Sequence, residues 1–85
     1  MKQIQDILRN FINNNIWTNE DGESQSLIDL TMSEVSETML YLHTLRDMNN
    51  NFDKDETVEI LITHSLNKII EHQQLFIKTE GTYDD

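Results

Sequence analysis

The apolar positions of this chain fall into three blocks separated by polar runs. In the first, Ile4, Ile7, Leu8, Phe11 and Ile12 recur at the i, i+3, i+4, i+7, i+8 spacing of one helical face. That spacing predicts a helix over residues 2–16. Asn13-Asn14-Asn15 weakens its end, because asparagine is a poor helix former that tolerates a left-handed backbone. Ile16 and Trp17 read as hydrophobic residues packing where the chain leaves the helix. "TNEDGESQ", residues 18–25, reads as an acidic turn around Gly22.

The second block predicts a helix over residues 25–48, starting at Ser24 or Ser26, where Ser26 and Asp29 give capping spacing. It carries two apolar stripes. Ile28, Met32, Val35, Met39 and Leu42 form one; Leu27, Leu30, Tyr41, Leu45 and Met48 form the other. Two stripes on one helix mean that it is covered from two sides, by two neighbours in the chain or by one neighbour and a second subunit. Residues 26–31, "SLIDLT", also suit a short strand, but no second strand is apparent to pair with it.

The third block, Val58, Leu61, Ile62, Ser65, Leu66, Ile69, Gln73, Phe76 and Ile77, predicts a helix over residues 54–78, with a frayed tail at 79–85. Asp53 with Glu56 three residues on has the spacing of a capping box. Asp55, Glu56 and Glu59 crowd the first turns, where the helix dipole favours negative charge. The expectation is an all-α, single-domain, three-helix bundle in up-down-up order. Eighty-five residues leave a modest core, so homodimerisation through Leu27, Leu30, Tyr41, Leu45 and Met48 is a candidate means of completing it.

Composition narrows the function. The chain has no cysteine, so disulfides and thiolate metal sites are excluded. No apolar run approaches the roughly 20 residues of a membrane span, and the charged, amide-rich start does not resemble a signal peptide; a cytoplasmic protein is expected. The net charge is −10. Alanine and proline are lacking while isoleucine and asparagine abound, a bias that should raise lysine as well, yet lysine and arginine together number six. Compositional drift therefore does not readily account for the acidity, for which solubility alone is one reading. A field this negative repels nucleic acid and anionic membranes and attracts basic protein surfaces.

The most acidic stretch, "NNNFDKDETVE" at residues 49–59, does not form an EF-hand. Counting from Asp47 places Phe52 where the loop needs glycine and Val58 where it needs the closing glutamate. His64 and His72 lie eight positions apart, about 80° round a helix and too far along its axis to share a metal. There is no nucleophile elbow, no phosphate-binding glycine loop and no basic patch for nucleic acid. No catalytic residue and no cofactor are expected from these patterns.

Two E-x-x-E pairs remain: Glu34 with Glu37, and Glu56 with Glu59. Residues three apart on a helix lie about 5–6 Å apart, within reach of one hard cation. "LIDLTMSEVSETM" resembles the second helix of the MazG-like all-α nucleotide pyrophosphohydrolases, which carry E-x-x-E, a loop and then E-x-x-D. The resemblance implies magnesium held by Glu34, Glu37, Glu56 and Glu59, and cleavage of nucleoside triphosphates to monophosphate and pyrophosphate. Glu59 stands where that family has aspartate.

The alternative treats the carboxylates as a docking surface. Glu34, Glu37, Asp47, Asp53, Asp55, Glu56 and Glu59 would face a basic protein partner, with Tyr41 or Trp17 as an apolar anchor. Spaced carboxylates imitate the charge of a nucleic-acid backbone. The leading expectation is a small acidic inhibitor or regulator, of the kind phages encode, that occludes a nucleic-acid-binding surface. A structural or immunity-type helical bundle is the remaining class.

Overall fold

The computed structural model describes the backbone of residues 2–81 and the side chains of residues 3–75. The chain is mostly helical, with three helices and a short two-stranded sheet. Helix α1 spans Lys2–Asn14 and buries Leu8 and Phe11 completely, with Ile4 and Ile7 packed beside them. It ends where Asn15 adopts a left-handed φ of 60° and its amide still donates to the Phe11 carbonyl. The asparagine run thus stops the helix by the backbone freedom expected of it.

The next segment departs from an all-helical reading. Ile16–Thr18 (β1) and Ser24–Ser26 (β2) pair antiparallel, with Trp17 opposite Gln25. The intervening acidic turn is built on Asn19. Its side-chain carbonyl accepts from the amides of Asp21 and Glu23, its backbone carbonyl accepts from Gly22, and Gly22 takes a φ of +84°. That left-handed conformation is the one a glycine accommodates without a Cβ penalty. The strand lies at 24–26 rather than 26–31, and its partner is the apolar exit from α1. Three-residue strands are too short to show an alternating pattern in sequence.

Helix α2 accordingly starts later than expected. After a 3₁₀ turn at Leu27–Asp29, Thr31 is the N-cap and Met32–Met48 is helical. Thr31 Oγ1 accepts from the Glu34 amide at 3.2 Å, and Glu34 Oε1 accepts from the Thr31 amide at 3.0 Å. This reciprocal capping box displaces the expected start at Ser24 or Ser26. Val35, Thr38, Leu42 and Leu45 form the buried stripe. Ile28, expected at the head of the main stripe, is 79% exposed because it lies in the 3₁₀ turn outside the helical register.

Asn49–Asp53 continues α2 as a single π-helical turn, closed by Lys54 with a left-handed φ of 50°. Helix α3 follows over Glu56–Gly81. Its N-cap is therefore Asp55 and not Asp53. Asp55 Oδ1 accepts from the amides of Thr57 and Val58, while Asp53 remains inside the wide turn and exposed. The pivot is Asn49, 1% exposed, whose side chain accepts from the Asp55 amide and donates to the Asp55 carbonyl.

Helix α3 packs against both other helices and buries Val58, Ile62, Ser65, Leu66 and Ile69. Gln5 meets Asp55 and Lys68 meets the Ile12 carbonyl, so α1 and α3 run parallel. Arg46 meets Glu59 and Thr63, so α2 runs opposite to them. Phe76 and Ile77, expected on the core face, and the tail beyond Gly81 lie outside the described side chains and residues.

Candidate functional site

Trp17 fixes the geometry of a cleft beside α2. Its place at the centre of β1 turns the indole inward, where it is 6% exposed and wedged between two rings. Phe11 lies edge-on at 5.4 Å between centroids, and Tyr41 edge-on at 5.7 Å. Such T-shaped pairs contribute about 0.5–1.5 kcal/mol each beyond their buried area. The hairpin is thereby held against α2, and its acidic turn overhangs that helix.

Between turn and helix opens a cleft of about 310 Å³. Trp17, Leu30 and Tyr41 form its apolar wall; Glu20 and Asp21 line it from the turn, and Glu34 and Glu37 from α2. A second depression of about 330 Å³ continues along α2, lined by Leu40, Leu45 and Met48 with Thr44. Glu20, Glu37 and Tyr41 line both, so the two form one groove.

Two groups report the local electrostatics. The Glu34 carboxyl sits below its ordinary pKa of 4.5 because Thr31 donates to the ionised form, through its amide first and its hydroxyl second. The Tyr41 phenol sits above its ordinary 10.0 because burial disfavours the phenolate and the negative charge of Glu20 adds to that. Among the described residues the ion pair found is Arg46–Glu59, at 3.5 Å and away from the groove. The groove carboxylates thus have no cationic partner among the described side chains.

The expected docking residues divide into three groups. Glu34, Glu37 and Tyr41 meet in the groove. Asp47, Asp53 and Glu56 are exposed around the α2–α3 connection. Asp55 and Glu59 carry internal duties, Asp55 as N-cap and Gln5 partner and Glu59 as partner of Arg46. Trp17 is not an exposed anchor, since its ring is wedged into the core; Tyr41 is half-buried.

Of the proposed subunit interface, Leu27, Leu30 and Leu45 are buried in the chain's own core, while Met48 is 50% exposed. The five residues therefore do not share one open face. Among the described residues no three histidine or acidic side chains come close enough to hold a metal ion. Glu34, Glu37, Glu56 and Glu59 are thus not gathered round one point, as the pyrophosphohydrolase resemblance requires. Glu20 and Asp21 were missed as site residues because "TNEDGESQ" has the composition of an ordinary turn. Their signal lay in Trp17, whose burial brings that turn over α2.

Comparison with protein-family models, with curated proteins and with solved structures gives no match.

Proposed function

We propose that this chain is a small acidic binding protein that docks on a basic surface of a protein partner and regulates it by occlusion. The observation that supports this reading is the groove, where four carboxylates border an aromatic and aliphatic floor without a cationic partner among the described residues. Carboxylates without a cationic partner at an open cleft attract lysine and arginine, and the adjoining apolar surface supplies the desolvated contact that holds a complex together. The net charge of −10 extends that attraction over the whole molecule and accelerates encounter with a cationic partner. A nucleic-acid-binding protein, of the kind that phage-type inhibitors occupy, presents the matching basic surface.

The test is affinity capture with the wild-type chain and with a Glu20→Gln/Asp21→Asn/Glu37→Gln variant that leaves the Thr31–Glu34 capping box intact. The expected result is a protein retained by wild type, lost from the variant, eluted by moderate salt and weakened in its own nucleic-acid binding. Equal retention by both baits would overturn the reading. So would magnesium-dependent release of pyrophosphate from nucleoside triphosphates that Glu34→Gln abolishes.

A further inference from the structure

The two ends of the groove differ in chemistry, because Asp21 and Glu34 line only one and Leu40, Leu45 and Met48 only the other, while Glu20, Glu37 and Tyr41 are shared; the separation of the ends is set by α2. The α2 residues lining the acidic half are centred between Glu37 and Thr38; those lining the apolar half are centred between Leu42 and His43. Five residues of helix advance about 7.5 Å along its axis. In an extended strand, side chains two positions apart lie on the same face and about 6.5–7 Å apart. The groove therefore matches the repeat of an extended segment laid along α2.

We propose, resting on the docking function above, that the groove binds an extended segment of the partner bearing an arginine or lysine and, two residues away, a large apolar residue. The cationic side chain enters between Glu20 and Asp21 of the turn and Glu34 and Glu37 of α2, and the apolar one covers Leu40 and Met48. Leu40 and Met48 are 68% and 50% exposed, so the apolar half is open to such a residue. Charge decides the occupant. A second copy of this chain would bring its own net charge of −10 to a rim that is already negative, whereas a cationic segment neutralises it.

The segment is tested by titrating the isotope-labelled full chain with four synthetic octapeptides and following its amide, indole and methyl resonances. In the first, arginine and leucine lie two positions apart in a serine and threonine background. In the second they lie three apart, so that they face opposite sides when extended. The third replaces arginine with glutamine, and the fourth replaces leucine with serine. The expected result is that the first peptide shifts the Trp17 indole, Tyr41 and the Met48 methyl. The others should bind about tenfold more weakly or worse, as expected from losing a charged hydrogen bond or a buried apolar contact.

Met48→Gln and Glu37→Gln should each reduce affinity for the first peptide about fivefold while leaving the far-ultraviolet spectrum unchanged. Because the peptide series varies the ligand alone, a folding defect in either variant does not obscure the outcome. Equal shifts by the two spacings, shifts centred on Phe52 or Ile60, or no shift at millimolar peptide would each overturn the segment. If those negative results accompany capture of a salt-eluted partner by wild type alone, the segment fails and the docking function stands. If no such partner is captured either, both fail.

Discussion

Replacing Asn49 with alanine should be the most costly single change at the α2–α3 connection. Asn49 is fully enclosed, and its side chain binds both backbone groups of Asp55, accepting at 3.1 Å and donating at 2.9 Å. In Asn49→Ala the Asp55 amide loses its partner inside a part-buried turn, which costs about 1–3 kcal/mol. The Asp55 carbonyl loses one bond but keeps the Glu59 amide, so its loss is nearer 0.5–1.5 kcal/mol. The sum is about 1.5–4.5 kcal/mol, a large share of the 5–15 kcal/mol typical of a domain. For a chain of this size that lowers the melting temperature by roughly 6–36 °C. Circular dichroism at 222 nm, by heat and by urea, reads it directly. Asp55→Ala should cost about 1–2 kcal/mol as a lost N-cap, and Asp53→Asn less than about 0.5 kcal/mol. An Asn49→Ala variant within about 0.5 kcal/mol of wild type would refute the reasoning, as would Asp53→Asn costing as much as Asp55→Ala.

Three further outcomes follow from the hairpin and the start of α2. Trp17→Ala should destabilise by about 3–5 kcal/mol, since it removes a buried ring packed on Phe11 and Tyr41; urea denaturation measures it. The folded pKa of Glu34 lies below its ordinary 4.5, so its contribution to stability is present above that pH and is lost as pH falls through the folded value. Glu34→Gln, which keeps an N3 acceptor, should therefore flatten the decline of the urea midpoint below about pH 4.5. Tyr41, observed by phenolate absorbance in a Tyr83→Phe background, should titrate above 10.0, and Glu20→Gln should bring it part of the way back; no response to Glu20→Gln would mean that the turn does not overhang α2.

The long elements were legible because each carries a strong period. Leu8 and Phe11 mark one helical face, with Ile4 and Ile7 partly buried beside them, and Val58, Ile62, Leu66 and Ile69 mark another; burial falls on these faces. The connections were not, for three physical reasons. A three-residue strand around Trp17 offers no alternation to read. Thr31 and Ser26 are both acceptable caps in isolation, and the choice is made by Glu34, whose side chain closes the box on Thr31. Asp53 and Asp55 are equally good caps by type, and the choice is made by the extra residue of a π-helical turn and by buried Asn49. Half of the candidate site was visible, because Glu34, Glu37 and Tyr41 lie on a predicted helix. Glu20 and Asp21 belong with them only through the tertiary contact of Trp17.

The way charge is used within the fold sharpens the difference between its two acidic regions. At the α2–α3 connection, Asp55 caps a helix and Glu59 lies against Arg46, so part of that negative charge serves the fold. Lys68 is likewise turned inward, donating to the Ile12 carbonyl and lying 5.9 Å from the Phe11 ring centroid. At the groove, Glu20, Asp21 and Glu37 form no hydrogen bond or ion pair that the core depends on among the described contacts, while Trp17 fixes the turn that carries two of them. The proposed docking there would require little ordering of the protein, which lowers one of the main costs of association. Under the proposed docking, stability and recognition are separable on this surface. Charge can be altered at positions 20, 21 and 37 with the scaffold intact, whereas a change at position 17 alters both at once.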